Sequence, residues 1–137
     1  MIPKFRGLSI DENSKGKMQY GYLIADGEQA FIINEVVEVN EQYITIGSWC
    51  PVDQKTIEQS TGLKDKNGKE IFEGDILKVA NNDSSWFEVV KYDHEKAMFI
   101  SKEVNLKYEV PETPLYDLFS PYLFKVEVIG NIWEDGD

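Results

Sequence analysis

The sequence is poor in the residues on which most enzyme chemistry rests. Its 137 residues include one cysteine, Cys50, and one histidine, His94. A single cysteine closes no internal disulfide and a single histidine builds no histidine cluster. Zinc fingers, CxxC redox motifs and histidine-rich metal sites are thereby removed. Arginine is nearly absent too. Of 14 basic residues only Arg6 carries a guanidinium, the planar fork that reads phosphate and guanine. Acidic residues number 25, for a net charge of −11, and residues 1–60, 61–100 and 101–137 carry −4, −2 and −5. With no basic segment, direct binding to nucleic acid or to an anionic membrane is disfavoured, because the long-range field repels polyanions. Neither GxxxxGK[ST] nor GxGxxG occurs, so nucleotide-dependent chemistry has no support. No apolar run approaches the ~20 residues of a membrane span. Met1–Arg6 is followed by no apolar h-region, and the expected compartment is the cytoplasm.

What is present suits a packed β domain. Hydrophobic residues make up 42% and aromatics 12%, enough for a real core, and the length fits one domain. Glycine, proline and asparagine interrupt short β-rich runs about every 10–15 residues, the rhythm of an all-β barrel or sandwich. Strands are expected at Lys4–Leu8, Met18–Ile24 and Gln29–Asn34, the last two as a hairpin across Ala25–Glu28. Val36–Val39 and Gln42–Ile46 follow, with Gly47 as a break. Asp53 suits the N-cap of one or two helical turns over Gln54–Gln59. Asn67-Gly68 predicts a tight hairpin, since both residues tolerate φ > 0. Phe72–Asp75 is a second turn, Ile76–Ala80 a strand and Asn81–Ser85 a loop. Trp86–Tyr92 is apolar on both faces and reads as a central strand, paired beyond the Asp93–Lys96 turn with Ala97–Ser101. Thr113–Phe119 reads as the one real helix: Thr113 at the N-cap, Pro114 first, and Leu115, Leu118 and Phe119 on one face, ended by Ser120-Pro121. Phe124–Trp133 closes the chain as a strand interrupted at Ile129-Gly130, and Glu134–Asp137 reads as an acidic tail.

Candidate chemical constellations have simpler explanations. Asp65–Glu70 is similar to part of a calcium loop, but the glycine falls at position 4 rather than 6 and lysines separate the acids, so a hairpin turn explains it better. His94 beside Asp93 could be a general base, yet no nucleophile or oxyanion site accompanies it, and it reads as a solvated turn residue. Cys50, between Trp49 and Pro51, reads as a packed thiol. Asn82-Asp83-Ser84 matches a glycosylation acceptor and reads as a polar turn. Two of the 25 carboxylates could pair as an acid–base dyad, but nothing selects any two. Trp49, Trp86, Phe87 and Trp133 could stack bases or sugars. Their neighbours Asp83, Glu88, Glu134 and Asp135 are acidic rather than basic, and core packing is the better reading.

The block Glu58–Lys78, with Thr61-Gly62-Leu63-Lys64-Asp65-Lys66-Asn67-Gly68-Lys69-Glu70-Ile71-Phe72-Glu73-Gly74-Asp75 at its centre, resembles the signature of the YopX family of small phage and prophage proteins. Val126–Glu134 resembles that family's closing motif and Lys4-Phe5-Arg6 its opening strand. Gly7-Leu8, Ser60 and Trp133 depart from the pattern. The resemblance implies a mainly β fold and a phage accessory role, and it implies no catalytic residue. The positions that carry it, Thr61, Gly62, Asn67, Gly68, Gly74, Asp75, Gly130 and Asn131, are of types that tight β turns and bulges need, and they are read as structural.

The expected fold is a small twisted β-barrel, SH3-like or related, with an N-terminal β extension and one short helix near 114–119. A single domain covers 1–137, with a β subregion over 1–50 and the signature barrel over 51–137. The expected function is non-enzymatic: an accessory protein that binds an unidentified host or phage protein or associates with itself, without cofactor or metal and without membrane contact. Two alternatives are an acidic DNA mimic that inhibits a host nucleic-acid-binding protein, and a nucleic-acid-binding barrel that aids phage replication or gene control.

Overall fold

The structure is a computed structural model that describes residues 3–104, 107–108, 110–120 and 123–134. The chain divides into two compact units, Met1–Ser60 and Thr61–Asp137. Both are built from antiparallel strands, as the turn-punctuated, apolar-rich sequence predicts.

The first unit holds β1 (Phe5–Leu8), β2 (Met18–Asp26), β3 (Gln29–Val39) and β4 (Ile44–Val52), in the order β4-β3-β2-β1. β5 (Glu58–Lys64) begins here and pairs with β1, Arg6 opposite Glu58. β2 changes partner midway: Met18–Gly21 pairs with β1 and Tyr22–Asp26 with β3. Gly21 makes that change possible. Its φ is +155°, and a Cβ there would run into the carbonyl of Ile33, so only glycine fits. The core consists of Ala30, Ile32 and Val52, with Phe5, Leu23 and Ile57 packed on them. The expected break at Gly47 is instead a bulge: the β3–β4 register slips three times between Ile33 and Glu38 and the ladder continues. Helical turns over Gln54–Gln59 shrink to a 3-10 turn at Gln54–Thr56. Asp53 caps it as expected, its Oδ1 accepting from the Lys55 N–H at 3.0 Å.

The second unit continues β5 beside β6 (Glu70–Phe72), followed by β7 (Asp75–Ala80), β8 (Ser85–Asp93), β9 (Met98–Glu103), β10 (Thr113–Pro114) and β11 (Lys125–Asn131). The sheet order β10-β9-β8-β7-β11 makes β8 central, as its two apolar faces predict. Its core is Ile71, Leu77, Val79, Val90, Leu115, Leu118 and Val126. The expected barrel does not close among the described residues. β10 and β11 end the sheet without pairing, and β10 is a two-residue strand whose Pro114 has no N–H to donate. The expected helix is a 3-10 turn, Leu115–Phe119. Thr113 and Pro114 are extended and pair with Ser101 and Ile100, so they cannot serve as N-cap and first turn. Five residues are also too few to recover the cost of nucleating an α-helix. Leu115 and Leu118 still reach the core at the three-residue spacing of a 3-10 turn. Pro121 and the tail residues Asp135–Asp137 lie outside the described residues.

In the β8–β9 turn, Ala97 has φ +53°, a conformation that costs a residue with a Cβ roughly 1–2 kcal/mol. Ala97→Gly is therefore expected to raise stability by about 0.5–1 kcal/mol, after allowing for the larger unfolded-state entropy of glycine. Urea denaturation of the two proteins checks this, and an unchanged or lowered midpoint contradicts it.

Candidate functional site

The first unit has one apolar face packed and a second apolar face whose Tyr22, Ile24 and Trp49 reach solvent while Ile33 between them is buried. Alternation along β2, β3 and β4 is hydrophobic at both parities, so the sheet has no polar side there. Leu23, Ile32 and Cys50 form one cross-strand row, and Ala25, Ala30 and Val52 the next; these face the core. The intervening rows, Tyr22–Ile33–Trp49 and Ile24–Phe31–Pro51, point the other way, because cross-strand partners share a face. On that outer face Trp49 is 59% exposed and Ile24 52%. The Phe31 and Trp49 rings meet edge to face, centroids 5.4 Å apart, a geometry that holds the indole in place. A cavity of about 310 Å³ adjoins the face, lined by Ile10, Glu28, Gln29, Phe31 and Pro51 among others. A rigid, solvent-facing aromatic cluster on a sheet is suited to hold another apolar surface.

The residues of the central sequence block do different work, in the second unit. Asp65 is 8% exposed, and its carboxylate accepts three backbone N–H bonds at 2.9 Å, Asn67 and Lys69 on Oδ1 and Val128 on Oδ2. One side chain thus closes its own turn and ties it to β11. Burial raises its pKa, but the N–H groups of Val128, Lys69 and Asn67 and the Lys69 charge outweigh that, and the pKa lies below the ordinary carboxylate value. The turn differs from the predicted two-residue form: Gly68 has φ +82°, while Asn67 is not left-handed, and the Asp65 side chain supplies the closure. Thr61 donates from Oγ1 to the Ile71 carbonyl at 2.8 Å. Asp75 is 1% exposed and accepts from the Phe72 N–H at 2.8 Å across the turn through Gly74, whose φ is +87°. Gly130 lies at the β11 bulge, and Asn131 Oδ1 accepts from the Trp133 and Glu134 N–H groups, both at 2.9 Å.

The family model described as YopX protein matches residues 4–137. The chain belongs to the YopX family. Its fold is also similar to the crystal structure of protein EF1440 from Enterococcus faecalis, with 29% sequence identity and a TM-score of 0.64, over 100% of this chain and 97% of that one. No curated protein matches it.

In this YopX-family chain the remaining sequence candidates are dispersed. Cys50 is buried in the first unit, its Sγ–H donating to Ser9 Oγ at 3.1 Å. His94 lies in the second unit beside the Tyr92 ring, centroids 4.9 Å apart. Among the described residues no group of three or more His, Cys, Asp or Glu side chains could hold a metal ion. No helix among them is long and apolar enough to cross a membrane. Glu88 is a buried carboxylate that accepts from Trp86 Nε1–H and from Ser101 Oγ–H, both at 2.7 Å. A cavity of about 180 Å³ is lined by Lys64, Lys66, Lys125, Phe119 and Phe124 among others.

The aromatic reading needs correction. Trp86 does pack in the core region, its ring 5.9 Å from that of Phe124. Trp49, Phe87 and Trp133 are solvent-exposed instead. Trp86 and Phe87 are successive residues of one strand and so point to opposite faces. The four therefore build no common stacking platform. Sequence reasoning missed the outer face of the first unit, although Met18–Ile24 carried its signal: Tyr20, Tyr22 and Ile24 alternate with Leu23 on the opposite face.

Proposed function

We propose that this YopX-family protein is a non-enzymatic accessory protein of a phage or prophage, and that it acts by binding another protein through the outer face of its first unit. The observation that carries this reading is the exposure of Tyr22, Ile24 and Trp49 on the outer face, around half-buried Phe31 and Pro51 and buried Ile33, on a chain of net charge −11. A chain with so many charges could have made this face polar. The phage setting is what the resemblance of the signature block implies. The recognition is apolar, with Trp49 as its anchor, and differs from electrostatic competition by a DNA mimic in its response to salt.

The test is affinity capture from lysate of a phage-carrying host, followed by measured binding of the recovered protein. Trp49→Glu is expected to weaken that binding at least ~30-fold, the scale of an aromatic hot spot of 2 kcal/mol or more. Trp133→Glu, in the second unit, should leave it unchanged, and raised salt should release little. Binding that ignores Trp49→Glu, or that disappears as salt rises, overturns the apolar reading.

A further inference from the structure

We propose that a second copy of this chain pairs along the edge of β4, with the two Ile44–Cys50 segments antiparallel about a two-fold axis. Among the described residues, Ile44–Cys50 has β3 as its only strand neighbour. The end of β4 is already covered, because Val52 bridges Ser9 and the Ile10 N–H donates to the Pro51 carbonyl. The open part thus spans seven residues, every second of which presents its N–H and C=O to the open side, a template for another strand.

Native edges of this kind are usually blunted by lysine, inward charges or proline. This one is not. Gln42–Val52 contains no charged residue, the longest such run in the chain, and its one proline lies beyond the open part. Two bodies of charge −11 repel wherever their acidic surfaces meet, so an uncharged edge is where close approach costs least. The bulge at Gly47 increases the local twist but leaves the segment in the sheet.

The arm formed by the outer parts of β3 and β4 also has the surface a dimer needs. Val37, Val39, Tyr43, Ile44 and Ile46 are each between 41% and 65% exposed. Ile44 and Ile46 lie on the edge strand itself, where a paired strand covers them, and Val37 and Val39 lie one strand in. A two-fold pairing uses this edge twice, so one uncharged β4 segment completes the other, with Glu35 and Glu38 one strand behind it on β3.

The proposal deepens the reading that the protein works through protein contacts, and it stands or falls separately. Sedimentation velocity of the full chain over a range of micromolar concentrations should show a species of twice the chain mass. That species should strengthen with added salt, since salt screens the repulsion of the acidic bodies and leaves the apolar contact. Ile44→Lys is expected to weaken dimerisation roughly 100-fold by burying a charge at the edge, whereas Phe87→Lys in the second unit should not change it. Circular dichroism identifies any variant that has lost its fold, and Ile46→Lys gives a second, independent edge charge. A monomer at every concentration and salt, or a dimer indifferent to both edge lysines in folded protein, overturns the proposal. A monomer that still captures a protein through Trp49 leaves the function reading intact. A dimer whose captured protein ignores Trp49→Glu does the reverse.

Discussion

Replacing Asp65 with alanine is expected to cost about 2–4 kcal/mol, because it leaves the N–H groups of Asn67, Lys69 and Val128 without their acceptor at once. Two of those bonds close the turn and the third joins it to β11, so both the hairpin and its docking are lost. Asp65→Asn separates shape from charge. The amide keeps one acceptor oxygen but places an NH₂ group where the other accepts. The carboxyl pKa is depressed in the folded protein, against about 3.9 in the unfolded chain. The unfolded chain therefore takes up the proton first as pH falls. The stabilisation is fully present above the unfolded value and disappears as pH drops through the lower folded value. The stability gap between wild type and Asp65→Asn should accordingly be widest near pH 7 and narrow below about pH 4. Urea denaturation curves at several pH values measure it, and a gap that stays constant into acid would show that the charge contributes nothing.

The second large effect lies in the first unit. Arg6 Nε–H donates to Glu58 Oε1 at 3.0 Å, and the two side chains are 3% and 5% exposed. The residues are direct partners in the β1–β5 ladder, so their Cα positions already bring the groups together. Arg6→Met removes the guanidinium and leaves the Glu58 carboxylate in a buried place, an expected loss of about 3–5 kcal/mol. Adding Glu58→Leu removes the second charge, and the double variant should be more stable than Arg6→Met alone. A double-mutant cycle from denaturant unfolding reads the coupling. Strictly additive losses would mean that the pair is not coupled in the fold. The same contact accounts for the one arginine of the chain, which is committed to a buried ion pair and takes no part in any surface that could meet nucleic acid.

Local chemistry was legible wherever one residue acts on its neighbours. Asn81 closes its loop through Oδ1, which accepts from the Asp83 and Ser84 N–H groups at 2.9 and 2.8 Å. Asp53 caps its turn, and β8 occupies the centre of its sheet. Those outcomes need only the reach of a short side chain or the two-residue period of a strand. The signature block could be located from its glycines and asparagine, and its turns follow from them. The role of Asp65 could not be located in the same way, because its third donor, Val128, is 63 residues away.

The apolar outer face shows the same division. Sequence placed Tyr20 and Tyr22 in a strand and left Trp49 beyond the expected break at Gly47, and it assigned Trp49 to a core because an apolar run looks the same whether its second face is covered or bare. A covering layer is a long-range fact. So is closure of a barrel, which would require β10 and β11 to meet across the sheet, and a two-residue strand ending in proline offers too few hydrogen bonds for it. The helix over Thr113–Phe119 failed for the same reason: its first two residues were worth more as partners of Ser101 and Ile100 than as a cap. By itself the sequence determined the β class, the family, the places of most turns and the acidic, arginine-poor composition, all of which depend on composition and near neighbours. The tertiary structure alone decided which sheet edges stay open, which apolar rows face water and which distant carboxylates are buried against their donors, because these depend on pairings between residues that the chain brings together only when it folds.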